Sequence, residues 1–135
     1  MNREIKFRAY DKHTKIMLPV VDIIKFTKSE SINIMRDGAY GVGITIPYQP
    51  HIELMQFTGL YDKNGKEIYE SDIVVVTRQC IWEKGIVVFI EGCFFIKVNE
   101  TLLALYECEP NNYEIKVIGN IYENSDLLKG ADNIE

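Results

Sequence analysis

At 135 residues and 15.6 kDa the chain has the size of one compact domain, and its 47% hydrophobic and 26% charged residues exclude disordered, collagen-like and coiled-coil classes. A net charge of −5 with a pI near 5.1 argues against coating nucleic acid or an anionic membrane through bulk charge. No apolar run approaches the roughly 20 residues that span a bilayer, and the first residues hold no signal-peptide core, so the expected location is cytoplasmic.

Nineteen Ile and ten Val against eight Leu and four Ala favour pleated surfaces, because β-branched side chains are stiff at χ1 and pack well on strands. Ile5, Phe7 and Ala9 alternate with Lys6, Arg8 and Tyr10, which predicts a first strand with one buried and one wet face. A polar turn over 11–15 leads to Ile16-Met17-Leu18, which Pro19 ends or confines to a sheet edge, and a further strand covers 20–26. Ser29-Glu30-Ser31 separates this from a strand at 32–35. Arg36-Asp37-Gly38-Ala39 predicts a tight hairpin before a strand at 40–46. Pro47-Tyr48-Gln49-Pro50-His51 is the candidate boundary. After it come strands at 52–57, 72–77, Ile81–Ile90, Cys93–Val98 and 113–118, with a turn at Asp62-Lys63-Asn64-Gly65-Lys66. The run 101–106 has enough Leu and Ala to read as helix, and Ser125 is placed to cap a last turn. The expected fold is all-β: residues 1–50 form β-hairpins packed beside a small SH3-like barrel made by 51–128, and 129–135 is a flexible tail.

Candidate chemistry is sparse. Gly38-Ala39-Tyr40-Gly41-Val42-Gly43 runs into β-branched residues rather than a helix, so it reads as a hairpin and not a phosphate loop. Asp62-Lys63-Asn64-Gly65 resembles the start of a calcium loop, but its glycine comes two places early and Ile73 stands where the twelfth-position carboxylate belongs. His13 and His51 are 38 residues apart and have no neighbouring ligand at metal spacing. Cys80, Cys93 and Cys108 form no closed disulfide set and read as reduced, mostly buried thiols. No nucleophile elbow is present, and Glu114-Ile115-Lys116, the nuclease-like Glu-x-Lys triplet, recurs as Glu4-Ile5-Lys6. No catalytic residue, metal or cofactor is assigned.

Two clusters remain as candidates. Asp62, Glu67, Glu70 and Asp72, flanked by Tyr61 and Tyr69, would supply a raised-pKa carboxylate if two of them met in a cleft. Lys6, Arg8 and Tyr10 belong to a first 15 residues of net charge +3, and would track a phosphate backbone or stack a base if they shared an open face.

Three stretches together resemble the YopX family of small bacteriophage and prophage proteins. They are Ile5-Lys6-Phe7-Arg8-Ala9-Tyr10-Asp11, the central Leu54-Met55-Gln56-Phe57-Thr58-Gly59-Leu60-Tyr61-Asp62-Lys63-Asn64-Gly65-Lys66-Glu67-Ile68-Tyr69-Glu70-Ser71-Asp72-Ile73-Val74, and Val117-Ile118-Gly119-Asn120-Ile121-Tyr122-Glu123-Asn124. The match is close enough to suggest the founding prophage member. The family has Gly where Ser71 stands, a strained exchange if the turn needs a positive φ. The resemblance implies a mainly β accessory protein of the bacterial cytoplasm with no catalytic residues to transfer. The expected function is a non-enzymatic interaction module that self-associates as a homo-oligomer and binds a phage or host protein. A nucleic-acid-binding protein, or a small enzyme using the acidic set around Asp72, is the alternative, with nucleic acid an unlikely partner and membrane excluded.

Overall fold

The computed structural model describes residues 4–26, 29–35, 43–47 and 51–128, with residues 19–47 described by backbone alone. The predicted Asp37-Gly38 hairpin, most of the glycine-rich run and the tail 129–135 lie outside the described residues. Eleven strands run in chain order among those described: β1 Phe7–Asp11, β2 Ile16–Phe26, β3 Ser29–Met35, β4 Gly43–Pro47, β5 Ile52–Tyr61, β6 Glu67–Tyr69, β7 Asp72–Arg78, β8 Ile81–Ile90, β9 Cys93–Val98, β10 Thr101–Ala104 and β11 Glu114–Asn120. The fold is all-β, and the helical structure among the described residues is a 3-10 turn at Leu105–Glu107 and the expected last turn, one helical turn over 126–128 after Ser125.

One sheet has the order β4-β3-β2-β1-β5-β6, the other β10-β9-β8-β7-β11. The chain divides into two compact units, Met1–Phe57 and Thr58–Glu135. The division falls inside β5, because residues 52–56 of that strand pair with β1. In the first unit Ala9 and Ile52 are fully enclosed, with Phe7, Leu18 and Leu54 packed against them. In the second, the last strand returns through the 3-10 turn to pair with β7, which gives the five-stranded order of an SH3-like barrel, here a curled half-barrel. Its core is made by Val74, Val76, Val87, Ile96 and Val117 from the sheet, closed by Ile68 and Leu105.

Several local expectations give way to pairing. Pro19 does not end its strand: Phe7 pairs with Val21 and Ala9 with Leu18, so Pro19 and Val20 oppose Arg8 alone in a bulge. Pairing of β2 with β3 begins only at Val21, so the missing proline N–H leaves no gap in that ladder. Ser29-Glu30-Ser31 is not a separator but pairs with Phe26, Lys25 and Ile24. Thr101–Ala104 is a strand because its pairing with β9 overrides the weak helical propensity of Leu and Ala. Tyr10, expected on a wet face, is buried, while Ile5 is exposed before the strand begins. Cys80 and Cys93 are exposed because both sit at hairpin ends, and only Cys108 is buried.

Two backbone positions carry testable strain. Ser71 has φ +73°, a conformation that costs an L-residue roughly 1 kcal/mol and glycine almost nothing. It is pinned there, because its amide donates to the Val87 carbonyl at 2.8 Å and its own carbonyl accepts from Ile121 at 3.1 Å. Gly85 lies so close to β9 that a Cβ would stand 2.5 Å from Ile96 Cγ2 and 2.9 Å from the Lys97 carbonyl oxygen. In urea unfolding, Ser71→Gly is expected to stabilise by about 0.5 kcal/mol, the local gain being offset in part by unfolded-chain entropy. Gly85→Ala is expected to destabilise by about 2 kcal/mol. A neutral Gly85→Ala would contradict the packing.

Candidate functional site

The turn after β5 is organised by one carboxylate. Asp62 Oδ1 accepts hydrogen bonds from the amides of Asn64 at 2.9 Å and Lys66 at 2.8 Å, and Oδ2 accepts from the Val117 amide at 2.9 Å. The Asp62 amide donates to Lys66 and its carbonyl accepts from Gly65, whose φ of +81° suits glycine, while Lys63 N donates to the Ile115 carbonyl at 2.9 Å. Residues 55 apart are thereby fastened together, and both the Asp62 and Lys63 contacts lie along β11.

Partial burial alone would raise the Asp62 pKa. The Val117, Lys66 and Asn64 hydrogen bonds, with the Lys66 charge, outweigh it and hold the carboxyl below the ordinary aspartate value.

The remaining acidic candidates occupy separate positions. Asp72, 2% exposed, accepts from the Tyr69 amide at 2.7 Å and closes the β6–β7 turn. Glu67 lies on β6 and accepts from the Tyr69 hydroxyl at 3.3 Å, and Glu70 is half-buried in the turn. Among the described residues no three His, Cys, Asp or Glu side chains gather as metal ligands would. In the basic set, Lys6 pairs with Glu4 at 3.5 Å and lies 4.8 Å from the centre of the Phe57 ring, Arg8 is half-buried, and the buried Tyr10 ring has no open face for a base.

Two groupings escaped the sequence reading. His13 and His51 stack with ring centroids 3.9 Å apart and 4° between planes, and His51 Nε2 lies 3.9 Å from Asp11 Oδ1. Their meeting follows from the register of β1 against β5, in which Asp11 faces Ile52, and spacing along the chain carries no sign of it.

The second is a groove of about 600 Å3 in the SH3-like unit, open to solvent between residues 59–63 and the segment 105–115. Ile68, Leu105, Cys108 and Ile115 are buried beneath it, and Tyr61 stands exposed at its rim. Burial pushes the Cys108 thiol up to about 11, outweighing the lowering influence of Arg78, and the thiol donates to the Ala104 carbonyl at 3.6 Å. At neutral pH it is therefore a protonated packing group rather than a nucleophile.

The family model described as YopX protein matches residues 6–129. The chain belongs to the YopX family. A crystal structure of protein EF1440 from Enterococcus faecalis is 28% identical, superposes with a TM-score of 0.67, and covers 94% of this chain and 99% of its own. The crystal structure of yopX from Bacillus subtilis is 20% identical with a TM-score of 0.64, over 90% of this chain and 96% of that one, a likeness of fold. At that identity this YopX-family chain is a relative of the Bacillus protein and not that protein. No curated protein matches it.

Two of the stretches that carry the family resemblance meet in space. Val74 pairs with Val117, Ile73 with Gly119 and Asp72 with Asn120, and Asp62 reaches Val117 from the turn. Asn120 Oδ1 accepts from the amides of Tyr122 and Glu123, and Asn124 Oδ1 accepts from the Asn120 amide, so the terminal stretch caps its own turn. These residues build the YopX-family barrel edge.

Asp62→Ala leaves the buried Val117 amide unsatisfied and is expected to cost about 2–4 kcal/mol. Asp62→Asn turns an amide NH2 toward one of the three donors and is expected to cost about 2 kcal/mol. Because the native pKa is lowered, the unfolded chain takes up the proton first. The carboxylate's contribution is complete above the unfolded value of about 3.9 and is lost as pH falls through the native one. The stability gap between the natural protein and Asp62→Asn should accordingly narrow below about pH 4. A gap that is constant with pH would contradict the hydrogen-bonded carboxylate.

Proposed function

We propose that this YopX-family chain is a non-enzymatic interaction module of a phage or prophage accessory gene set, working in the bacterial cytoplasm and self-associating as a homo-oligomer. The observation that carries the reading is the outer face of β8, β9 and β10. Ile86 pairs with Lys97 and Lys97 with Leu102, Val88 with Phe95, and Ile90 with Cys93, so these side chains share the face opposite the buried Val87 and Ile96. Ile90, Leu102 and Cys93 are exposed on it, and its charges are Lys97 and, by the same alternation along β8, Lys84, whose ammonium donates to the Leu127 carbonyl at 2.9 Å.

The two ends of the sheet differ. Along β11 the Val117 amide and Ile115 carbonyl are engaged by the 62–63 turn, whereas β10 ends the sheet at the other side. An apolar face beside an edge strand is the arrangement that association covers. An enzyme built on the acidic set has less support, since the Asp62 and Asp72 carboxylates are engaged by backbone amides. No helix of the described residues is long and apolar enough to cross a membrane.

Sedimentation velocity over a hundredfold concentration range should show a concentration-dependent dimer or larger species. Leu102→Lys with Ile90→Lys should shift it to monomer at unchanged circular dichroism. A natural protein that is monomeric throughout would overturn the association.

A further inference from the structure

The groove beside the 3-10 turn has no lining residue on β8, β9 or β10 and makes a different demand on its occupant. Its floor is apolar: Ile68, Leu105, Cys108 and Ile115 are buried or nearly so. Its rim is acidic, because Glu109, Glu114 and Asp62 line it against the single cation Lys63, which already lies 3.8 Å from Glu114. Of these carboxylates Asp62 is committed to three backbone amides, and Glu109 is exposed on the loop.

Tyr61 and Tyr113 also line the groove, the first 55% exposed, the second half-buried. The Tyr113 ring already holds a guanidinium, that of Arg78, at 5.6 Å from its centroid, so this corner of the molecule accepts cations on aromatic faces. A site for a small molecule encloses most of its ligand, whereas this depression is partly open to solvent. An extended chain with apolar and cationic side chains suits it. Lys and Arg can lay their methylene stems on the apolar floor and the tyrosine rings while their charged heads reach the carboxylates. A polyanion such as nucleic acid meets the wrong sign of charge here.

We propose that the groove between residues 59–63 and 105–115 binds a basic, partly apolar peptide segment of a partner protein in extended conformation. The proposal uses a surface other than the β8–β10 face, so it stands or falls independently of self-association.

The full chain, 15N-labelled, is titrated with an acetylated and amidated octapeptide of alternating Lys and Leu, with a Glu–Leu octapeptide of the same length, and with a single-stranded oligonucleotide. The Lys–Leu peptide is expected to shift the amides of Tyr61, Leu105, Asn112 and Glu114 saturably, while the Glu–Leu peptide and the oligonucleotide leave them in place. Glu109→Lys is expected to weaken the Lys–Leu peptide at least about fivefold, and so is raising the salt from 50 to 500 mM. Tyr61→Ala, at an exposed position, is expected to weaken it by a similar factor at unchanged circular dichroism. The proposal is overturned if the Lys–Leu peptide shifts nothing at millimolar concentration or shifts residues elsewhere. It is equally overturned if the Glu–Leu peptide or the oligonucleotide binds the groove as well, or if both variants bind as the natural protein does.

Discussion

The second unit of this protein depends on a single carboxylate. Asp62 sits in a five-residue turn and accepts from two amides of that turn, and its other oxygen reaches Val117, 55 residues later in the chain. A short loop between β5 and β6 would by itself be a solvated hairpin rim. Bonded to β11 it becomes a clamp on the last strand of the half-barrel and at the same time one wall of the groove. Charge-assisted bonds of this kind are shorter and stronger than neutral ones, and the one to Val117 lies in a buried setting where water cannot replace it.

The same clamp explains why two distant stretches of sequence look distinctive together. Residues 72–74 and 117–120 are the two sides of one pairing, to which Asp62 adds its side-chain bond, with Ser71 held by Val87 and Ile121 at its corner. Asn120 and Asn124 then close the far end with side-chain caps in place of further strand. The residues that mark the family are therefore occupied with architecture. The faces proposed for partners lie beside them, on β8–β10 and in the groove, to which the family stretches contribute only residues 59–63 of the rim and Ile68 of the floor.

Much of the second unit was legible in the sequence because its strands are short, rich in Val and Ile, and punctuated by turn residues: Ile81–Ile90 and Cys93–Val98 have the bounds that their patterns predict. What was lost was lost to tertiary pairing. Tyr10 alternates with apolar neighbours like a surface residue, yet β1 lies between β2 and β5 in the sheet and the ring is buried. Leu102, Leu103 and Ala104 prefer helix as isolated residues, but a paired neighbour decides for strand. The Asp62-Lys63-Asn64-Gly65 turn was visible, whereas its bond to Val117 was not, since nothing in local spacing encodes a contact between residues 55 apart. The groove was invisible for the same reason: its walls come from three separate segments, and its acidic rim draws on Glu109 and Glu114, which no local pattern groups with Tyr61.

The tie between the turn and the last strand rests on one ionised carboxylate. Its most direct test is an NMR pH titration that follows the Asp62 carboxyl carbon together with the amide protons of Asn64, Lys66 and Val117. The midpoint is expected below the ordinary aspartate value of about 3.9 and shared by all three amides, including the one 55 residues away. A midpoint at or above that value, or a Val117 amide indifferent to the titration, would contradict it.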